Sequence, residues 1–296
     1  MNLKGLGVAL VTPFTSEGEI DFDAIPRIIK NIISGGADYL VVLGTTAEVS
    51  CLSSLEKKEV IAAVIKANNR NLPLVIGIGG NNTAAVIEEI IQTDLSPFQA
   101  ILSVSPYYNK PTQEGIYQHY AHLAQVSPIP LIVYNVPSRT GAAVFSKTFL
   151  RLANDYDNII AIKEASGDMA QAEEILKDCP SHVQVISGDD ALTLPMLLSG
   201  AVGTISVLGN ALPIPIKRMF YYVEQGELEK AYKMHYQLLD IIQLLFEEGN
   251  PVGVKALMKS LSLCNQSVRL PLVQASKGLS NRIESVLEAT LLQHNS

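Results

Sequence analysis

The chain of 296 residues has no tryptophan, three cysteines and five histidines, and only 17% of it is charged. Each shortage removes a class of protein. Cys51, Cys179 and Cys264 are odd in number and show no CxxC spacing, so a disulfide scaffold or thiolate metal site is not indicated and reduced thiols are expected. His119 and His122 stand three apart on a helix-like stretch with no third ligand nearby in sequence, and both are expected on a solvent-facing surface. The 22 Lys and Arg are outnumbered by 29 Asp and Glu, a formal charge of −7 with no basic run to break it; a nucleic-acid partner is not expected. No apolar run approaches the about 18 residues of a membrane helix. The opening "MNLKGLGVALVTPF" is short, and no small-residue cleavage pattern follows it. It reads as a core strand, and the expectation is a soluble, cytoplasmic protein that engages no membrane.

What the chain does have is 48% hydrophobic residues arranged in brief, regularly spaced runs. They are "GVALV" (7–11), "YLVVL" (39–43), "LVIGI" (74–78), "AILSV" (100–104), "LIVY" (131–134), "IIAI" (159–162), "VQVIS" (183–187) and "GTISV" (203–207). The runs are continuous rather than alternating, as in parallel strands covered on both faces. Helical spacing fills the intervals, with start signals at Ser53 or Ser54, at Asn82 or Thr83, and at Asp168. Strand and helix repeated eight times favour an α/β protein of the (β/α)8 TIM-barrel type, typically about 250 residues long. The competing open sheet would want a dinucleotide fingerprint, and "GIGGNN" (77–82) lacks the GxGxxG register. The barrel is expected over residues 1–225, carrying the active site, and a C-terminal three-helix appendage over 226–296.

In such a barrel the chemistry lies at the C-terminal ends of the strands. That rule selects Thr45 and Thr46 in "GTTAE", Tyr107 and Tyr108 in "SPYYNKP", Tyr134 and Arg139 in "YNVPSRTG", Lys163 after "IIAI", Gly188 in "SGDD", and Ile205. Lys163 closes an apolar run, so its amine would be poorly hydrated, and a neutral lysine amine attacks carbonyl carbon to form a Schiff base. The plainer alternative is an ion pair with Glu164 at a rim, although successive strand residues point to opposite faces. Tyr134 either shuttles protons to that amine or fills the barrel mouth. Thr45 and Thr46 either hold a carboxylate or cap a strand end. Arg139 either offers a planar fork to a second carboxylate or is a solvated surface residue.

"GTTAE", "SPYYNKPTQEG", "YNVPSRTG", "IKEASGD" and "SGDD" closely resemble the motifs of the dihydrodipicolinate synthase family. That family belongs to the N-acetylneuraminate lyase superfamily of class I aldolases. The resemblance runs along nearly the whole chain and includes "NPVGVK" (250–255). It implies that Lys163 condenses with the ketone of pyruvate, that Thr45 and Thr46 help hold the pyruvate carboxylate, and that Tyr134 transfers protons during imine formation. Thr45 and Tyr108 would link that phenol to solvent, the tyrosine reaching in from a neighbouring subunit. Arg139 would bind the carboxylate of aspartate semialdehyde, while Gly188 and Ile205 line the pyruvate pocket. It further implies no metal or organic cofactor, a homotetramer built as a dimer of dimers, and the first committed step of diaminopimelate and lysine biosynthesis. A lyase for a sugar acid or sialic acid is the alternative within enzymes, and a catalytically silent ligand-binding barrel the alternative outside them. At positions where lysine-inhibited members often carry polar or ionisable groups the chain has Val49, Ser54, Lys57 and Ala85, while Asn81 and Tyr107 match. Weak or absent feedback by lysine is expected.

Overall fold

The computed structural model describes residues 1–69 and 71–294. Eight strands, β1 (Gly5–Ala9), β2 (Tyr39–Val42), β3 (Leu74–Gly77), β4 (Ala100–Val104), β5 (Leu131–Asn135), β6 (Ile159–Glu164), β7 (Gln184–Ser187) and β8 (Gly203–Ser206), close into a barrel in sequential order. The resolved pairings are parallel. Nearly every strand residue is buried, which is why the runs do not alternate: helices cover one face and the barrel interior the other. The helices are α1 (Ala24–Ser34), α2 (Ser54–Asn68), α3 (Thr83–Gln92), α4 (Gln113–Val126), the single turn α5 (Pro137–Thr140), α6 (Ser146–Asp155), α7 (Met169–Asp178), α8 (Thr193–Leu198) and α9 (Pro213–Glu224), then α10 (Leu228–Glu247), α11 (Val252–Ser260) and α12 (Lys277–His294). The chain is therefore a (β/α)8 barrel followed by three helices.

Two compact units can be distinguished. The first comprises Met1–Gly5 and Pro73–Ile205. Its helices start where short polar side chains can accept otherwise orphaned N–H groups. Asn82 Oδ1 accepts from Ala84 and Ala85, and Asp168 Oδ1 from Ala170 and Gln171. One expectation is overturned here. His122 is exposed, but His119 is buried on α4 at 3% exposure, hydrogen-bonded to Thr83 Oγ1 at 2.9 Å. It stands three residues after Ile116 and four before Leu123, both fully buried, so the helical stripe carries it inward.

The second unit comprises Leu6–Leu72 and Ser206–Ser296. Ser53 opens α2 with a capping box: its Oγ accepts from Glu56 N–H at 3.2 Å and Glu56 Oε2 accepts from Ser53 N–H at 2.8 Å. Helix α10 packs against α9, α11 and α12 through Leu238, Ile241, Ile242 and Leu245, which recur at helical spacing and are buried. Each such side chain contributes about 1.5–3 kcal/mol on burial. Gly253 is required at the contact of α10 with α11, because a Cβ there would lie 2.5 Å from the Leu245 backbone. This unit also contains cavities of ≈ 940 Å³ and ≈ 320 Å³, neither of which is lined by a candidate residue.

Candidate active site

Lys163 lies within β6 rather than beyond its end, and only 5% of it is exposed. Lys163 is in register with Tyr134 of β5, so the two side chains share a face of the sheet. The amine Nζ stands 4.4 Å from the centroid of the Tyr134 ring, itself 7% exposed; that is within the distance at which a ring face attracts a cation. Nζ makes no hydrogen bond or ion pair among the described residues. The aliphatic stem is held just as closely. A Cβ at Gly188 would meet Lys163 Cε at 2.9 Å and Ala165 Cβ at 2.7 Å, so only glycine lets the lysine take this course.

The glutamate that follows faces the other way. Glu164, 2% exposed, accepts from Asn135 Nδ2 at 2.8 Å and Gln171 Nε2 at 3.0 Å on Oε2, and from Ser166 N–H at 2.6 Å on Oε1. Gln171 belongs to α7, so this is the helix-facing side of the sheet, and Lys163 projects from the opposite side. Asn135 in turn accepts Val144 N–H at 2.9 Å. One buried amide therefore ties β5 to β6 and both to the segment between α5 and α6. Sequence reasoning placed Glu164 away from the lysine but found no role for Asn135. The available signal was the matching offset, Tyr-Asn in one strand beside Lys-Glu in the next.

The loops after β4 and β5 present the remaining groups of this unit. Tyr108 is 87% exposed and its backbone lies at φ +75°, a conformation uncommon outside glycine. Its N–H donates to Thr140 O at 3.3 Å, which ties the tyrosine loop to α5. Arg139 lies exposed on α5, and the Thr140 hydroxyl donates to Ala142 O at 2.7 Å to close the turn. Tyr107 is 40% exposed, and Ile205 on β8 is 1% exposed.

In the second unit Thr45, half-buried, and Thr46, 2% exposed, form a 3-10 turn with Ala47. Thr46 Oγ1 accepts from Asn250 Nδ2 at 3.0 Å. Beyond the turn Glu48, at φ +54°, is buried against Lys255. Among the described residues, no group of three or more His, Cys, Asp or Glu is placed to hold a metal ion.

A closed parallel barrel with a buried lysine set against a phenol ring on the next strand is the frame of a class I aldolase, which works through an imine on the lysine. The chain belongs to the dihydrodipicolinate synthetase family, whose model matches residues 2–290. It is 53% identical over 280 residues to the 4-hydroxy-tetrahydrodipicolinate synthase of Flavobacterium psychrophilum, covering 95% of this chain and 96% of that one. The namesake from Azobacteroides pseudotrichonymphae is 46% identical over 285 residues, 96% of each chain. Among solved structures, the dihydrodipicolinate synthase of Aquifex aeolicus superposes with a TM-score of 0.93 at 37% identity, covering 98% of this chain and 99% of that one.

Proposed function

We propose that this protein condenses pyruvate with L-aspartate 4-semialdehyde to give 4-hydroxy-tetrahydrodipicolinate, the entry to diaminopimelate and lysine. The observation that carries the reading is Lys163: buried at 5% exposure, without a carboxylate partner among the described residues, its amine 4.4 Å from the Tyr134 ring centroid. The Lys163 amine adds to the ketone carbon of pyruvate. Tyr134 hands a proton to the departing oxygen, water leaves, and an imine remains. Loss of a methyl proton converts the imine to an enamine, whose carbon attacks the aldehyde of the second substrate. The substrate's own amine then attacks the imine carbon, closes the ring and releases Lys163. The protonated imine is the electron sink, so the reaction calls for no metal or organic cofactor.

Thr45 and Thr46 take the pyruvate carboxylate, Arg139 takes that of the semialdehyde, and Gly188 and Ile205 line the pyruvate. Thr45 and Tyr108 relay protons to solvent. A tyrosine 87% exposed and held at φ +75° suits a phenol presented to another copy of the chain, and the reading includes a cytoplasmic homotetramer made of two dimers. No helix among the described residues is long and apolar enough to cross a membrane.

Incubation with pyruvate and borohydride, followed by peptide mapping, tests the proposal: the label is expected on Lys163, and a label elsewhere overturns it. Turnover of pyruvate with aspartate semialdehyde is expected, and cleavage of sialic acid in its place would reject the substrate assignment. Val49 and Ala85 remove polar partners for an amino-acid effector, so half-inhibition by sub-millimolar lysine in a steady-state assay is not expected.

A further inference from the structure

The motif "NPVGVK" (250–255) lies beyond the barrel strands and supplies no group to the bond-making steps. Both of its polar ends turn back onto one loop. Asn250, 7% exposed, donates to the Thr46 hydroxyl oxygen at 3.0 Å. Lys255, with no exposed surface, donates to Glu48 Oε1 at 2.5 Å and to Ser267 O at 2.9 Å. Glu48 Oε2 accepts Arg269 N–H at 2.9 Å. Between the two anchored residues, Ala47 O accepts the Thr12 hydroxyl at 2.8 Å. Glu48 holds φ +54°, a state that side chains other than glycine rarely adopt and that persists where surrounding contacts over-determine it. The ion pair with Lys255 is such a contact.

A threonine hydroxyl has one proton and two lone pairs. When Asn250 N–H occupies one lone pair, the Thr46 proton points away from Nδ2 and remains available to an anion. We infer that Asn250 and the Lys255–Glu48 pair are positioning residues that hold the Thr46 hydroxyl as a prealigned donor to the ketoacid carboxylate. The C-terminal helices then govern affinity for the ketoacid more than the rate of bond making. The inference rests on the assignment of Thr46 to that carboxylate.

Asn250→Asp keeps the shape but can only accept, so it draws the Thr46 proton to itself and sets a negative charge near the substrate carboxylate. KM for pyruvate is expected to rise by more than about tenfold, the scale of a lost charge-assisted hydrogen bond. kcat at saturating pyruvate should stay within about threefold, and borohydride should still label Lys163. Asn250→Ala should raise the same KM roughly three- to tenfold, and it carries the test should the aspartate variant fail to fold by circular dichroism. In a Thr46→Val background Asn250→Ala should add less than about twofold, because the two residues act through one hydroxyl. An unlabelled wild-type Lys163 would sink the proposed function. A labelled wild type with an unchanged pyruvate KM in the Asn250 variants, or with an undiminished Asn250→Ala effect on top of Thr46→Val, overturns the positioning role alone.

Discussion

Lys163 in the first unit and Lys255 in the second are buried almost equally, at 5% and 0% exposure, and their surroundings are opposite. Lys255 has Glu48 Oε1 at 2.5 Å, Ser267 O at 2.9 Å and the Phe14 ring centroid at 4.2 Å. Burial pushes its pKa down, while the charge and hydrogen bond of Glu48 pull it back up. Among the described residues Lys163 has the Tyr134 ring and no carboxylate, although a buried carboxylate is its immediate neighbour in sequence. Glu164 points to the helix side, where three N–H donors occupy it. Burial alone therefore does not mark a reactive lysine. What separates the two among the described residues is whether a carboxylate stands within hydrogen-bond reach of the amine.

Exchanging each lysine for methionine is the most severe way to break this comparison. Lys163→Met should lower kcat/KM by at least about a thousandfold, because the covalent route is gone, and should abolish borohydride labelling. Its stability should be unchanged or higher, since an apolar side chain replaces a buried amine that has no ion-pair partner among the described residues. Lys255→Met should do the reverse. It strands Glu48 as a buried anion and should cost about 3–5 kcal/mol in denaturant unfolding, with the Lys163 label retained at saturating pyruvate. Adding Glu48→Gln to Lys255→Met should recover part of that loss. If Lys255→Met formed no imine, or Lys163→Met unfolded, the contrast would be wrong.

Gly188→Ala sharpens the same contrast by disturbing the stem of Lys163 without touching its amine. The new Cβ would lie 2.9 Å from Cε and 2.7 Å from Ala165 Cβ, so the side chain or β6 must move. Misplacement of a reacting group by about 1 Å costs on the order of a hundredfold. The rate of borohydride-trappable imine formation should fall roughly ten- to a hundredfold, against a stability loss of about 1–3 kcal/mol for overpacking. A normal trapping rate would mean that the amine is not held by its stem.

How much of this was legible follows from which contacts are local. The eight runs and the caps Ser53, Asn82 and Asp168 are local signals and lie where they were expected. The observed β1 begins at Gly5, two residues before its run, and β6 continues through Lys163 and Glu164; a polar residue inside a strand ends an apolar run without ending the strand. Lys163 and Tyr134 could be paired because a barrel places consecutive strands side by side. Lys255 could not be paired with Glu48, since the partners are 207 residues apart and only the folded chain brings them together. Asn250 and Thr46, 204 residues apart, escaped for the same reason. His119 was misplaced because a polar residue on an outer helix was assigned to solvent, although its spacing from Ile116 and Leu123 put it on the buried stripe.

A change of pH, which alters no residue of the active site, distinguishes the two units by the acid range in which each loses stability. In the first unit, burial, aided by the charge of His122, lowers the His119 pKa to about 4 from 6.5. As pH falls from 6.5 towards 4 the unfolded chain takes up a proton that the folded chain refuses, so stability drops over that window by up to about 3 kcal/mol. In the second unit the hydrogen bond from Arg269, with the Ser53 N–H next, lowers the Glu56 pKa to about 2 from 4.5. That contribution is complete above 4.5 and is lost as pH falls towards 2. With both side chains near the surface, solvent screening reduces it to on the order of 1–2 kcal/mol. Denaturant unfolding across pH should therefore show His119→Gln flattening the slope between 6.5 and 4, and Glu56→Gln flattening it only below 4.5. Identical slopes in wild type and His119→Gln between pH 6.5 and 4 would mean that the buried imidazole reaches water in the folded state.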